Sequence, residues 1–181
     1  MKRRIKTMSM MEVIELMKQR RSVRSYTDEV VSDEVLDTIL ETATYAPTGG
    51  GKQSPVIVAV KDPETRDLIS RLNAKVMGGD TDPFYGAPVI VLVLADGNRG
   101  SYVEDGSGVL NYIMLAAKAC GVDSVWVARE KEIFDSEEGK ALLKKWGLPD
   151  SLRGVGAAAL GYHAGEEPEA APRKEDYIIK I

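Results

Sequence analysis

The stretch DGSGVLNYIMLAAKACGVDSVWV, residues 105–127, decides how this chain folds because it leads from an apolar helix directly into a strand. Apolar residues recur at helical spacing after Asp105, which predicts a long helix with one buried face. The residues of that face are Val109, Leu110, Ile113, Met114 and Ala117. Cys120 and Gly121 are typical of a helix end, and residues 125–127 predict a short strand.

Outward from this stretch, three more apolar runs predict buried strands, at residues 56–60, 89–94 and 157–160. Apolar periodicity and capping residues predict helices between and around them. The predicted helices cover about residues 9–20, 32–43, 62–76, 105–120 and 136–146. The first of these places Met10, Val13, Ile14 and Met17 on one apolar face. The alternation predicts an α/β or α+β sheet covered on both faces.

Length and composition narrow the possible functions. The chain has 181 residues, of which 44% are hydrophobic, so we expect one domain over residues 1–181. The formal net charge of -4 gives no support to a general nucleic-acid or membrane role. Cys120 is the single cysteine and His163 the single histidine, which predicts a cytoplasmic protein and excludes a histidine-rich metal site. No apolar run is long enough to predict a membrane span.

Basic residues are concentrated near the start of the chain, in contrast to its acidic balance. Arg20, Arg21 and Arg24 lie within five positions, together with Ser22. Guanidinium groups bind phosphate oxygens in pairs, and hydroxyl groups complete such a site. The alternative is a solvated helix end with ion pairs. Residues 1–8 are expected to be a flexible leader, although a basic arm over residues 2–24 could also bind nucleic acid.

The glycine-rich segment APTGGGKQSP, residues 46–55, is not a nucleotide-triphosphate loop. Ala46 stands where such a loop needs glycine, and Gln53 stands where it needs serine or threonine. Glycines nevertheless allow a backbone to approach a planar ligand closely, and Gln53 offers a donor and an acceptor to a heterocycle. The alternative is a plain connection between a helix and a strand.

Five spaced stretches together resemble the FMN-dependent nitroreductase family over about residues 9–181. They are RRSVRSY at 20–26, ATYAPTGGGKQSP at 43–55, FYGAPVIVLVLA at 84–95, the opening stretch at 105–127, and LGYHAGEEPEAAPRK at 160–174. The resemblance implies an α+β fold with a central mixed, largely antiparallel sheet flanked by helices. It also implies a homodimer, with residues 165–181 packing on the partner subunit.

The resemblance further implies which residues hold FMN. The phosphate and ribityl end would be held by Arg20, Arg21, Ser22, Arg24 and Arg173. The flavin ring would be lined by Pro47, Thr48, Gly49, Gln53, Val127, Ala128 and Gly161, the loop residues among them reaching it from the partner subunit. Gly51 and Ser54-Pro55 depart from the family pattern, which puts contacts to the flavin pyrimidine edge in question. Phe84 and Tyr85 are either stacking residues or part of the core.

The implied activity is hydride transfer from NADH or NADPH through flavin N5 to a small organic acceptor, such as a nitroaromatic or a quinone, by a ping-pong cycle. The flavin does the chemistry, so no catalytic side chain is expected. Two alternatives remain open: a flavin-binding or sensing protein with little turnover, and a different flavin reaction such as dehydrogenation or dehalogenation. The final YIIKI, residues 177–181, is expected to form an edge strand.

Overall fold

A computed structural model of the protein describes residues 10–181, so the predicted leader at residues 1–8 lies outside the described part. Within these residues, six helices and four strands alternate much as the sequence predicts. In order they are α1 Met10–Gln19, α2 Asp33–Ala43, β1 Val56–Val60, α3 Pro63–Met77, β2 Val89–Asp96, α4 Tyr102–Ala119, β3 Asp123–Val127, α5 Glu130–Asp135, α6 Glu137–Lys145 and β4 Leu152–Gly161. Short 3₁₀ turns lie at Gly49–Gly51 and Glu175–Tyr177.

The four strands form one sheet in the order β1-β2-β4-β3. Every neighbouring pair is antiparallel, which confirms the prediction of an α+β fold with a largely antiparallel sheet. The mixed character expected from the sequence is limited to one parallel bridge, between Ser22 and Ser124, outside the named strands. Within the described residues no helix is both long and apolar enough to cross a bilayer.

Alternate residues of the central strand β2 supply the two halves of the core. Val89, Val91 and Val93 pack with α2 and α4 on one face of the sheet. Ile90, Leu92 and Leu94 pack on the other face with side chains of α3, α5 and α6. All six are at most 1% exposed. The sheet is therefore buried on both faces. Each such side chain contributes about 1.5–3 kcal/mol to stability by leaving water.

Capping residues begin the helices where the sequence predicts. The Ser32 hydroxyl accepts the amide of Val35 at 3.3 Å and starts α2. Asp62 accepts the amide of Thr65 at 2.9 Å and starts α3, with Pro63 in its first turn. α4 begins at Tyr102, three residues before the predicted start at Asp105.

The sequence analysis missed α5, which has only six residues. A helix this short has no repeating apolar stripe, so periodicity does not reveal it. Its Ile133 and Phe134 are buried, and a Cβ at Gly139 would overlap the backbone of both. α5 and α6 are therefore packed so closely that only glycine fits between them.

Two apolar segments are not buried in this chain. On the predicted inner face of α1, Val13, Ile14 and Met17 are 37–53% exposed. Residues 178–181 form no strand, and Ile179 is 80% exposed. The alternative that YIIKI pairs as a strand within its own chain is therefore not met among the described residues. Pairing with a partner subunit stays a prediction.

Candidate functional site

A cleft of about 870 Å³ separates the end of α1 from the tail of the chain. One wall comprises Met17, Lys18, Arg20, Arg21, Ser22 and Arg24, and the other comprises residues 168–173, including Arg173. Segments about 150 residues apart thus meet at one place. The structure brings together the five residues that the resemblance assigns to a phosphate site.

The charges in this cleft are unbalanced. Five cationic side chains line it, against the single carboxylate of Glu169. Arg21 donates to the carbonyl oxygens of Lys18 and Arg20 at 2.6 and 2.9 Å. Arg24 and Arg173 also donate to backbone carbonyls, those of Ser22 and Ala171. Among the described residues, none of the four cleft arginines forms an ion pair with a carboxylate.

Arg20 carries the most informative atom of the cleft. Its Nη1 is buried and has no hydrogen-bond partner in the described part of the chain. Buried donors are nearly always paired, because leaving one unpaired costs about 1–3 kcal/mol or more when the group is charged. An anion in the cleft would supply the missing acceptor. The alternative of a solvated helix end with ion pairs is met at Lys18, which pairs with Glu15 at 2.8 Å, but it does not account for the buried Nη1 of Arg20.

Backbone contacts attach the arginine segment to the sheet. Val23 is 2% exposed, and its amide donates to the carbonyl of Ser124 on β3 at 3.1 Å. Tyr26 follows, with its hydroxyl donating to the carbonyl of Val23 at 2.9 Å and its backbone bridging to His163. Burial raises the pKa of Tyr26, which keeps that hydroxyl protonated. The cleft therefore has one rigid wall.

The glycine-rich loop is held by a buried carboxylate. Asp105, 4% exposed, accepts the amide of Gly49 at 2.8 Å and the hydroxyls of Ser54 and Ser101 at 3.3 and 3.2 Å. Arg99 donates to the carbonyl of Gly49 at 3.1 Å. The loop is therefore more than a plain connection between a helix and a strand, since a buried acid fixes its shape.

A second pocket, of about 330 Å³, lies beside this loop. It is lined by Thr44, Ala46, Thr48, Gln53, Pro55, Ile57 and Val109. The predicted ring-lining residues Thr48 and Gln53 therefore open into a pocket different from the arginine cleft. Pro47 is exposed at the same surface. Within one chain the two predicted parts of the site are not joined.

The remaining predicted residues lie at the ends of β3 and β4. Val127 is buried in the core and Ala128 is exposed. A Cβ at Gly161 would lie 2.8 Å from Pro88 and 2.9 Å from Tyr26, so these two side chains occupy the room that the glycine leaves. Packing within the chain explains this glycine, and its contact with a cofactor stays a prediction.

The structure separates the two aromatic candidates. Phe84 is fully buried, whereas Tyr85 is 39% exposed and has a φ of 57°. Asp82 holds this turn by accepting from Ser70, from Arg66 and from the amides of residues 84 and 86. Phe84 is therefore a core residue, and Tyr85 is presented at the surface.

Sequence reasoning missed the polar side chains that support these loops. Asp105, Asp82 and Glu130 stand among many acidic residues, and only their burial or their partners distinguish them. His163 does not support these loops: it is exposed, and its Nδ1 lies 2.7 Å from Oδ2 of Asp123. Within the described residues, no group of three or more His, Cys, Asp or Glu could hold a metal ion.

Comparison with known proteins places this fold in a family. The profile of the Nitroreductase family matches residues 17–79. A protein of Archaeoglobus fulgidus, named as an NADH dehydrogenase/NAD(P)H nitroreductase, is 30% identical over 164 residues, which cover 87% of this chain and 89% of that protein. An FMN reductase [NAD(P)H] of Bacillus subtilis is 40% identical over 90 residues, covering 50% of this chain and 34% of the reductase.

A solved structure agrees with these sequence matches. The nitroreductase of Bacteroides fragilis, crystallised with bound FMN, superimposes with a TM-score of 0.86 at 27% identity, covering 94% of this chain and 98% of that one. The fold and the matched segments define an oxidoreductase-type α+β protein with a cationic cleft. The chain belongs to the nitroreductase family.

Proposed function

We propose that this protein is an FMN-dependent oxidoreductase that takes hydride from NADH or NADPH and passes it to a small organic acceptor, such as a nitroaromatic or a quinone. The observation that carries the proposal is the arginine cleft with its buried, unpartnered Nη1 on Arg20. The related proteins that are named for FMN or NAD(P)H, or that contain bound FMN, support it.

The residues of the cleft fit the phosphate of FMN. Phosphate needs several donors around one centre, and Arg20, Arg21, Ser22, Arg24 and Arg173 supply them from two sides. The excess positive charge favours a dianion over a neutral ligand. A volume of about 870 Å³ lies in the range of cofactor sites, so the ribityl chain can also be accommodated.

When bound, the flavin supplies the hydride chemistry, accepting from the nicotinamide and donating to the acceptor in turn. The chain supplies binding and orientation. Ala128 and the end of β3 offer backbone groups, with Val127 buried beside them. Gly161 lies at the other end of β3, opposite Asp123. Pro47, Thr48, Gly49 and Gln53 form the loop that Asp105 holds. One domain over residues 1–181, in a reducing cytoplasm, suits this activity and the lone Cys120.

We propose a homodimer because the two halves of the site lie in different pockets of one chain. The exposed apolar face of α1 and the exposed tail residues Ile178, Ile179 and Ile181 are suited to cover each other across two subunits. Analytical ultracentrifugation tests this: the double change Ile179→Ser and Ile181→Ser is expected to shift the protein toward monomer. Glu166→Ser and Glu169→Ser, in the same tail, serve as the matched control.

The first experiment is a visible spectrum of the purified protein, before and after anaerobic addition of NADH or NADPH. Flavin absorbance that one nucleotide bleaches, followed by recovery on addition of a nitroaromatic or a quinone, is the expected result. Bound flavin that neither nucleotide bleaches would favour a flavin-binding protein with little turnover. A colourless protein that takes up no added FMN would overturn the proposal.

The phosphate assignment is tested by Arg24→Ala and Arg173→Ala. Each removes a charged donor, so we expect FMN binding to weaken by about 1–3 kcal/mol, or roughly 5- to 150-fold. Arg71→Ala is the control, since Arg71 is an exposed arginine of α3 outside the cleft. Titration of the apoprotein by quenching of flavin fluorescence gives the affinities. Wild-type affinity in both cleft variants contradicts the assignment.

A further inference from the structure

The turn that follows β3 has an unusual backbone. Arg129 has a φ of 84°, in the left-handed region that residues with a side chain rarely adopt. Such a conformation is strained and persists only where neighbouring contacts hold it. The contacts around residues 128–130 therefore need an explanation.

Asn73 of α3 provides most of those contacts. It is fully buried, and its Nδ2 donates to the carbonyl of Ala128 at 2.7 Å and to Oε1 of Glu130 at 2.9 Å. Its Oδ1 accepts from Nε of Arg129 at 2.8 Å. One amide side chain thus binds three consecutive residues. Both of its polar atoms are used, so its orientation is fixed.

Glu130 closes the arrangement from the other side. It is fully buried, and desolvation raises its pKa well above the usual value, in spite of the hydrogen bond from Asn73 and the nearby charge of Arg129. Burial therefore favours the neutral form of this carboxyl over the charged form. A Cβ at Gly154 of β4 would overlap the backbone of Glu130, so the start of α5 rests directly on the sheet.

The direction of the Ala128–Arg129 peptide follows from these contacts. No cis peptide bond occurs in the described residues, and in a trans peptide the C=O and the following N–H point to opposite sides. The carbonyl of Ala128 points to the buried Asn73. The N–H of Arg129 therefore points away from α3, on the side opposite to the buried amide.

We propose that Asn73 and Glu130 are positioning residues, which hold the Ala128–Arg129 peptide so that its N–H faces the ring of the bound flavin. This inference rests on the proposed function, which puts the end of β3 beside that ring. A fixed N–H dipole stabilises negative charge that a ring gains on reduction, and it does so best when it cannot reorient. The pair would thereby set the reduction potential of the cofactor.

The test is the midpoint potential of the FMN-loaded protein, measured by spectroscopic titration against a reference dye. Asn73→Leu removes the amide, and Glu130→Met removes one of its acceptors at similar volume. Both are expected to shift the potential to more negative values, the first more than the second. FMN affinity is expected to stay within about tenfold, since neither residue lines the arginine cleft.

Two further variants separate positioning from mere stability. Glu130→Gln keeps the side-chain volume and an acceptor for Asn73, so it is expected to retain the wild-type potential. Glu132→Met changes an exposed glutamate of the same helix and is also expected to leave the potential unchanged. If Asn73→Leu does not fold, the comparison of Glu130→Met with Glu130→Gln decides the question by itself.

The outcomes distinguish this inference from the proposed function. The positioning role alone is overturned if the wild-type protein binds FMN and the potential of Glu130→Met and Asn73→Leu is unchanged or more positive. A negative shift in Glu130→Gln equal to that in Glu130→Met also overturns it, because the acceptor would then be irrelevant. Wild-type protein that binds no FMN overturns both proposals.

Discussion

Polar groups are paired differently in the sheet region, by which we mean the sheet with the helices and loops packed on it, and in the arginine cleft. In the sheet region, the buried Asp105 accepts three hydrogen bonds and Asp82 accepts four. In the cleft, Arg21, Arg24 and Arg173 donate to backbone carbonyls, and the Nη1 of Arg20 has no partner among the described residues. Around Asp105 and Asp82 these polar groups are paired within the chain, although Nε of Arg99 and Oε2 of Glu130 are also buried without a partner in the described residues. The cleft differs by its excess of positive charge, which suits it to an anionic ligand.

The same contrast holds for apolar groups. Residues 90–95 of β2 are fully buried between two layers of helices. The apolar face of α1 and the isoleucines of the tail are exposed. Exposed apolar faces and an excess of positive charge indicate where partners bind.

The largest effect on stability is expected from Gly154→Ala, on strand β4 of the sheet region. The new Cβ would overlap the backbone of Glu130, and both segments are held in the core. We expect the free energy of unfolding to fall by about 3 kcal/mol or more, measured by urea denaturation. Gly79→Ala is the control: its Cβ would meet no atom within 4 Å, so a change of under about 0.5 kcal/mol is expected.

A smaller loss is expected from Asp82→Asn. Partial burial alone would raise the pKa of Asp82, but hydrogen bonds from Ser70, Arg66 and two backbone amides outweigh it and lower the pKa to about 2. Removing the charge should cost about 1–2 kcal/mol at pH 7, reduced from the full linkage value because the group is partly exposed. Asp80→Asn, exposed in the same loop, should change the free energy of unfolding little.

The pH dependence of this loss has a definite sign. The folded pKa of Asp82 lies below the unfolded value of about 3.9, so its charge stabilises the fold above that pH. The advantage of wild type over Asp82→Asn should be complete near neutrality and disappear as the pH falls from about 4 through 2. Thermal unfolding at several pH values checks this. A difference that does not change with pH would contradict it.

The smallest effect on stability is expected from Arg20→Met, which should separate the stability of the apoprotein from its affinity for FMN. The variant removes a buried, unpartnered charged donor while keeping an apolar stem, so the apoprotein should be unchanged or up to about 1 kcal/mol more stable. Its affinity for FMN should nevertheless fall. Arg71→Met, outside the cleft, should alter neither quantity. An apoprotein destabilised by more than 1 kcal/mol would show that Arg20 supports the fold rather than the ligand.

Much of the fold could be predicted because its signals are local. Strand β1 was predicted at its observed bounds, and Ser32 and Asp62 cap helices where expected. The six-residue α5 could not be predicted, because it has no apolar period and depends on a close approach to α6. The exposure of the α1 face was also unexpected, since periodicity indicates that a face is apolar and not which surface covers it.

The candidate site also has a part that the sequence predicts and a part that it does not. Arg20, Arg21, Ser22 and Arg24 are close in sequence, so their clustering was visible directly, and the resemblance added Arg173 to them. Asn73 and Glu130 could not be recognised, because each contacts residues more than 50 positions away or is distinguished only by burial.

By itself the sequence determined the helices, the strands, the basic cluster and the family, because these depend on residue types at short spacing. Only the tertiary structure decided which charged atoms are left without partners, which apolar faces stay exposed, and which acid is buried. Those properties arise when distant segments remove water from one another. The unpartnered Nη1 of Arg20 and the raised pKa of the buried Glu130 are therefore features of the folded chain alone.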